Sequence, residues 1–543
     1  MTSTQEFTNQ TKRLIDDLKS VCANYGLGND GNEFKIITQV FLYKFLNDKF
    51  AYEIKKLDDN IAKAENWESA LADLSEDDYE MLIMQLSAST AIIKPDYYIS
   101  SLFAKQNQSD FADIFDTTLT DIAKDNSEIF SVLTDGGEKI VLFENLSKYV
   151  TDKRDEFCKA IVNKLTNFSF ENIFHEKFDF YATIFEYLIK DYNTNSGGKY
   201  AEYFTPHAVA MIMAKCLVQD DVDNATCYDP SAGSGTLLMN LAHQIGEDKC
   251  TIYSQDISQK SSGLLRLNLI LNDLVHSIHN IIKGNTILDP YHKAPDGELE
   301  KFDYIVSNPP FKLDFSDFRD ELDSKENHDR FFAGIPKIPK KKVESMAIYL
   351  MFLQHIIYSL KPNGRAAVVV PTGFITAQSG IDKKIRQKLI DEKMLAGVVS
   401  MPSNIFANTG TNVSILFIDK TNNEDVMLID ASNLGEKVKE GKNQKTLLSR
   451  ADEDKIINTF NNKEAVDDFS VALSYEDIKV KNYSLSAGQY FEVKIEYVDI
   501  TQEEFKAKLD EFESQFTDLL SDSNKLQKKI ESGLKGLRYA STK

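Results

Sequence analysis

Asp229-Pro-Ser-Ala-Gly-Ser-Gly235 follows the short run CYD and precedes a helix-patterned stretch from Thr236 to Ile245. Its two glycines and small neighbours let backbone amides approach a ligand closely. The helix N-terminus behind them favours a carboxylate or phosphate. The next β-rich run ends in Gln255-Asp256. An acid there can accept hydrogen bonds from both ribose hydroxyls of an adenosyl group, or cap the helix that begins near Ser258. Downstream, Asn308-Pro-Pro-Phe311 follows FDYIVS. Two prolines remove amide hydrogens and stiffen the turn, which presents the Asn308 side chain and the Pro309 carbonyl. Those two oxygens can both accept from one –NH2 group and draw its lone pair out of ring conjugation toward an electrophilic methyl. Phe311 offers a face for a planar ring.

These residues need strand ends to sit on. From about Thr226, β-rich runs alternate with helix-patterned segments: ATCYD, CTIYSQD, NIIKG, FDYIVSN, RAAVVVP, LAGVVSMP and NVSILFIDK. The alternation predicts an α/β fold, a doubly wound, seven-stranded, mostly parallel sheet, ending near Lys420, with its ligand at the carboxyl ends of the central strands. Residues 1–165 read as helical, with Phe34, Ile37, Phe41 and Phe45 at helical spacing, and a further helix is expected from about Glu171 to Asp191. Near the end, Phe505, Leu509, Phe512, Phe516 and Leu519 form a heptad seam, which either a partner helix or the chain's own domain can cover.

In combination and order, the motifs resemble those of the amino-methyltransferases that pair a DPxxGxG cofactor turn with a [DNS]PP[YFW] target turn. Tyr200-Ala-Glu-Tyr-Phe-Thr-Pro206, just ahead of the sheet, narrows the likeness. The chain is similar to the modification (M) subunits of Type I restriction-modification systems, which methylate adenine N6. The resemblance covers nearly the whole chain. It implies a Rossmann-like methyltransferase domain over 166–480, an α-helical N-terminal domain over 1–165, and a C-terminal helical segment over 481–543 for subunit docking.

The resemblance also implies S-adenosyl-L-methionine contacts from Glu202, Tyr203, Phe204, Thr205, Pro206, His207, Asp229, Ser231, Ala232, Gly233, Ser234, Gly235 and Asp256. Asn285 stands where such enzymes often carry an acid, and can bond the cofactor's adenine ring. Asn308, Pro309, Pro310 and Phe311 become the catalytic residues around a flipped adenine. Extrusion of that base costs roughly a few kcal/mol. None of the five cysteines follows a proline, so the Pro-Cys nucleophile of cytosine-C5 enzymes is absent and transfer is direct.

Composition bears on the partners. The 543 residues exceed one hydrophobic core. No apolar run reaches membrane-spanning length, and no secretory signal opens the chain, which together with unpaired cysteines predicts a reducing, cytoplasmic setting. No metal cluster is expected. With 62 Lys+Arg against 84 Asp+Glu, the net charge of −22 opposes DNA binding unless contacts come from a local strip or another subunit. Pro336, Lys337, Pro339, Lys340, Lys341 and Lys342 form such a strip, readable as a clamp on double-stranded DNA or as a solvated loop. No recognition domain is visible, so a specificity (S) subunit is expected, with a restriction endonuclease (R) subunit and a second M subunit in the complex. The rival readings are an amino-methyltransferase acting on protein glutamine or RNA guanine N2, and an inactive scaffold.

Overall fold

Among the described residues thirteen strands follow one another along the chain, and eleven of them join one sheet. The computed structural model describes residues 3–28, 31–174, 187, 205–406, 412–440, 443–491 and 500–536. They fall into two units, Met1–Phe491 and Glu492–Lys543.

The seven expected strands are β3 (Ala225–Asp229), β4 (Cys250–Asp256), β5 (Ile281–Lys283), β6 (Phe302–Ser307), β7 (Leu360–Pro371), β8 (Leu395–Ser400) and β9 (Val413–Asp419). They lie in the order β8-β9-β7-β6-β3-β4-β5. Every pair from β7 through β5 is parallel, and β9 runs antiparallel between β7 and β8. The chain leaves β3 toward β4 and β5, then returns to place β6 on the other side. The order therefore reverses between β3 and β6, which opens a crevice at their carboxyl ends.

The sheet extends beyond the expected seven. β10 (Val426–Asp430) pairs parallel with β8, and β13 (Ser470–Leu473) pairs antiparallel with β10. The sheet therefore does not end near Lys420. On the far side, β1 (Val132–Thr134) pairs parallel with β5, and β2 (Lys139–Ile140) pairs with β1. β11 (Glu436–Glu440) and β12 (Asn443–Leu447) form a separate hairpin. β1 and β2 are too short to display a period of two, which is why the region before residue 165 reads as purely helical.

Alternation along the strands builds two cores. Ala366, Val368 and Val370 join one with the helices Tyr349–Ser359 and Gly380–Asp391. Ala367 and Val369 join the other with the helices His207–Leu217 and Thr236–Ile245. That second core runs on into the N-terminal helices, where Phe34, Ile37, Phe41 and Phe45 are all buried. Arg266 crosses the same boundary: its buried guanidinium donates to the carbonyls of Phe130, Ile140 and Leu142 at 3.2, 2.9 and 3.4 Å. A shared core and a buried cation on backbone carbonyls explain why Met1–Phe491 packs as one unit.

The expected helix from Glu171 to Asp191 lies largely outside the described residues; within them, Glu171–Ile173 is one 3-10 turn. The second unit is a 35-residue helix, Gln502–Gly536, carrying the heptad residues. Among the described residues, no helix is long and apolar enough to cross a membrane.

Candidate active site

β3 delivers Asp229 to the switch-point crevice, where the residue is buried to 1% exposure. Its Oδ1 accepts from the Ser231 amide at 2.9 Å, which folds the start of the turn back on itself. Gly233 and Gly235 take φ values of +53° and +84°, a region that side chains disfavour. Gly235 also lies beneath Leu265: a Cβ there would stand 2.3 Å from the leucine Cδ1. Asn268 supports the turn from below by donating Nδ2 to the Ser234 carbonyl at 2.8 Å. Ala232, Ser234 and Thr236 are buried with it.

Asp256 ends β4, beside β3. Its Oδ2 accepts from the Gly233 amide at 3.0 Å and its Oδ1 from the Ser258 amide at 2.8 Å. The N-cap of the following helix is Ser258, not Asp256: the serine side chain accepts from the Ser261 amide. Asp256 therefore braces the glycine turn and keeps further lone pairs for a ligand. Burial pushes the Asp229 carboxyl up to about 7, against the opposing hydrogen bonds of Ser231 and Ser307, with Asp256 adding repulsion. Burial also raises Asp256. Two confined carboxylates at adjoining strand ends favour a cationic ligand, whose charge would relieve both. That donor set, an open glycine turn over a pair of acids, fits an adenosyl sulfonium compound.

β6 delivers the second turn. Ser307 is buried, and its hydroxyl lies 2.8 Å from that of Ser231, so the two turns are hydrogen-bonded to each other. Asn308 follows at once. Its Nδ2 donates to the Thr205 hydroxyl at 3.2 Å, which engages the amide nitrogen and leaves Oδ1 to accept. Pro309 is buried and Pro310 exposed. Phe311 is half-buried and meets Tyr349 edge-on at 6.2 Å, and Tyr349 meets Phe374 edge-on in turn.

The remaining expected residues divide. Glu202, Tyr203 and Phe204 lie outside the described residues. Thr205 is buried against Asn308. Pro206 caps the helix that His207 opens. Asn285 caps its own turn, accepting through Oδ1 from the amides of Ile287 and Leu288 at 3.1 and 3.2 Å, so only its Nδ2 is left to meet a ligand.

Several residues at the site escaped sequence reasoning. Ser307 links the turns. Thr286 donates its hydroxyl to the Pro230 carbonyl at 2.7 Å and steadies the cofactor turn from the β5 side. Ile257, next to Asp256, is 67% exposed, an apolar surface at a strand end where a base can pack. Asp135, following β1, stands over Gly284: a Cβ on that glycine would lie 2.5 Å from its Oδ2. An acid does stand beside the end of β5, supplied by a segment far away in sequence. Only Ser307 carried a local signal, as the residue preceding NPPF.

A doubly wound sheet with a glycine turn and an Asn-Pro-Pro turn on neighbouring parallel strands defines the class of Rossmann-like methyltransferases. The model of the N-6 DNA Methylase family matches residues 176–498, more than half of the sequence, and the chain belongs to that family. The Type I restriction enzyme MpnII methylase subunit of Mycoplasma pneumoniae is 27% identical over 514 residues, covering 90% of this chain and 91% of its own. The MjaIX methylase subunit of Methanocaldococcus jannaschii is 27% identical over 399 residues, covering 70% and 67%. Among solved structures, the type I restriction-modification system methyltransferase subunit from Streptococcus thermophilus superposes with a TM-score of 0.67. That match has 22% identity and covers 90% of this chain and 100% of that one, a likeness of fold.

Proposed function

We propose that the chain transfers a methyl group to the N6 amine of adenine in double-stranded DNA, as the modification subunit of a Type I restriction-modification complex. S-adenosyl-L-methionine supplies the electrophilic methyl when bound. Asp229, Asp256 and the amides of the glycine turn hold it, with Asn285, Ile257 and the 202–207 segment around it. Asn308 and Pro309 accept from the target amine, and Phe311 stacks on the extruded base. Catalysis is positioning and exclusion of water, since no covalent adduct with the base is required.

The observation that carries this reading is the Ser231–Ser307 hydrogen bond, which ties the cofactor turn to the residue before Asn308. A methyl donor and an aromatic amine must meet within one short reach, and these two turns are stitched together at their bases. The division into a helical region over 1–165, a catalytic domain over 166–480 and a docking segment over 481–543 belongs to the same proposal. The partners are a specificity subunit, an endonuclease subunit and a second copy of this chain.

An Asn308→Ala variant tests the assignment. It should bind cofactor with unchanged affinity in calorimetry and transfer methyl groups at least ~10²-fold more slowly, on the scale of losing one preorganised polar group. Near-normal turnover would remove Asn308 from the mechanism. A substrate panel of duplex DNA, structured RNA and glutamine peptides with labelled cofactor decides the substrate class.

A further inference from the structure

We infer that residues 336–342 form a preformed phosphate-binding crest that grips the DNA backbone beside the extruded base. The inference rests on the DNA-modifying function just proposed and names the surface through which an acidic chain holds a polyanion.

The charge along this stretch is sorted rather than mixed. Asp314, Asp317, Asp320, Glu321, Asp323, Glu326 and Asp329 precede it, and no acid occurs from Arg330 to Val343. Lys337, Lys340, Lys341 and Lys342 are all exposed, and among the described residues none of their ammonium groups has an ion-pair partner within 4.0 Å. In a chain of net charge −22, unpaired lysines in one short run are a local inversion of sign. With a Debye length of about 8 Å at physiological salt, a phosphate here meets the local patch more than the distant net charge.

The crest is built, not loose. Behind it, Phe315, Leu322, Phe331, Met346, Ile348 and Met351 share a small core of their own with Ile287. Arg330 pins that core to the sheet. It is 3% exposed and donates to the carbonyls of Thr286 and Ile287 at 2.7 and 2.8 Å, and to His355 Nδ1 at 3.0 Å. His355 is held well below its ordinary pKa by burial, then by Arg330, so it accepts as a neutral ring. Arg319 donates Nε to the Pro336 carbonyl at 3.3 Å, fixing the start of the crest. Pro336 and Pro339 restrict φ within it. At its end Lys342 takes φ +59°, held by the Ser345 amide and hydroxyl, which both donate to its carbonyl at 2.9 and 2.7 Å.

The same frame sets the crest next to the target turn. The Leu313 amide, two residues after Phe311, donates to the Met346 carbonyl, four residues after Lys342, at 3.1 Å. A flipped nucleotide stays joined to its flanking phosphates, which therefore lie at the mouth of the pocket that receives the base. A rigid row of cations there meets them without paying for loop ordering. On this reading the strip acts as a fixed rail, not as a closing clamp.

The test uses the full-length chain and a short fluorescent duplex with one bulged adenine, titrated between ~50 and ~200 mM salt. Replacing Lys337, Lys340, Lys341 and Lys342 together by Gln should flatten the plot of log affinity against log salt by about 3 to 4 and weaken binding ~10-fold or more at low salt. The corresponding Lys→Arg variant should restore both. Cofactor affinity and thermal unfolding should match wild type in each, which keeps folding out of the result. An unchanged slope in the Gln variant, or equal wild-type affinity for a single-stranded RNA of the same sequence, overturns the crest. Wild-type methyl transfer to the bulged adenine is read separately. Its absence even with the specificity subunit present, beside a steep, lysine-dependent slope, would sink the proposed function and leave the crest standing.

Discussion

The glycine turn after β3 and the proline turn after β6 sit side by side, joined through Ser231 and Ser307, yet they are held by opposite means. Residues 229–235 take much of their shape from outside: Asp256 bonds the Gly233 amide, Asn268 the Ser234 carbonyl, Thr286 the Pro230 carbonyl, and Leu265 fills the space over Gly235. Residues 308–311 carry their stiffness in their own rings, with Thr205 as the one side-chain hydrogen-bond tether among the described residues. The cofactor turn braces itself only in part, through the Ser231 amide on Asp229 and the Gly235 amide on the Ala232 carbonyl, because other amides must stay open for a ligand. The target turn must hold two acceptors still and needs few neighbours to do so. Damage near the first turn should therefore spread into folding and cofactor affinity, whereas damage near the second should stay in the chemical step.

The largest expected effect follows from Gly235→Ala. An alanine at φ +84° costs about 1–2 kcal/mol. Displacing buried Leu265 adds roughly 1–3 kcal/mol. Cofactor affinity should fall ~10²-fold, and the unfolding midpoint should drop. Retained affinity in calorimetry would mean that the turn adapts and that outside bracing is not what shapes it.

Asp229→Asn sharpens the same side of the comparison. The carboxyl has a folded pKa of about 7 against an ordinary 3.8, so the folded state binds its proton more tightly. That stabilisation is complete below pH ~4 and is lost as pH rises toward 7. Above 7, the buried carboxylate costs at most about 4 kcal/mol. The cofactor-free Asn variant should therefore melt higher than wild type at pH 8, with the difference vanishing near pH 4. It should also bind cofactor more weakly. Binding to wild type near pH 6.5 should release a proton, read as a buffer-dependent heat, and binding to the variant should not. Equal melting curves at pH 8 would place the charge elsewhere.

The contrast also marks how far the sequence could be read. Both turns were legible because their chemistry is local: glycines, prolines and an asparagine at fixed offsets beside β-rich runs. The seven central strands were legible because each is a short β-rich run set between helix-patterned segments. Much of what escaped is bonded to backbone. Arg266 rests on carbonyls, which every residue has, so no partner side chain betrays it, and Arg330 adds one distant side chain, His355, to two carbonyls. Asp135 reaches Gly284 only because β1 pairs with β5, a contact between strands too short to show a pattern. β10 and β13 lie beyond Lys420, the expected end of the sheet, and only the pairing of β10 with β8 and of β13 with β10 makes them strands.

The smallest expected effect is the most diagnostic for the target turn. Thr205 is buried and accepts the Asn308 amide nitrogen, so it neither meets the reacting amine nor shapes the glycine turn. Thr205→Val keeps the volume and removes the acceptor. One lost hydrogen bond is worth about 1 kcal/mol. Freed of its tether, Asn308 samples other rotamers, and the fraction presenting Oδ1 to the amine falls. Single-turnover transfer should slow roughly 5- to 10-fold, the equivalent of that energy at 25 °C. Cofactor affinity should fall less than the rate, since Thr205 is one member of the 202–207 segment placed around the cofactor, and Thr205→Ser should restore both. If Thr205→Val instead weakens cofactor binding and leaves the chemical step intact, Thr205 serves the donor alone, and the self-braced character of the proline turn is complete without it.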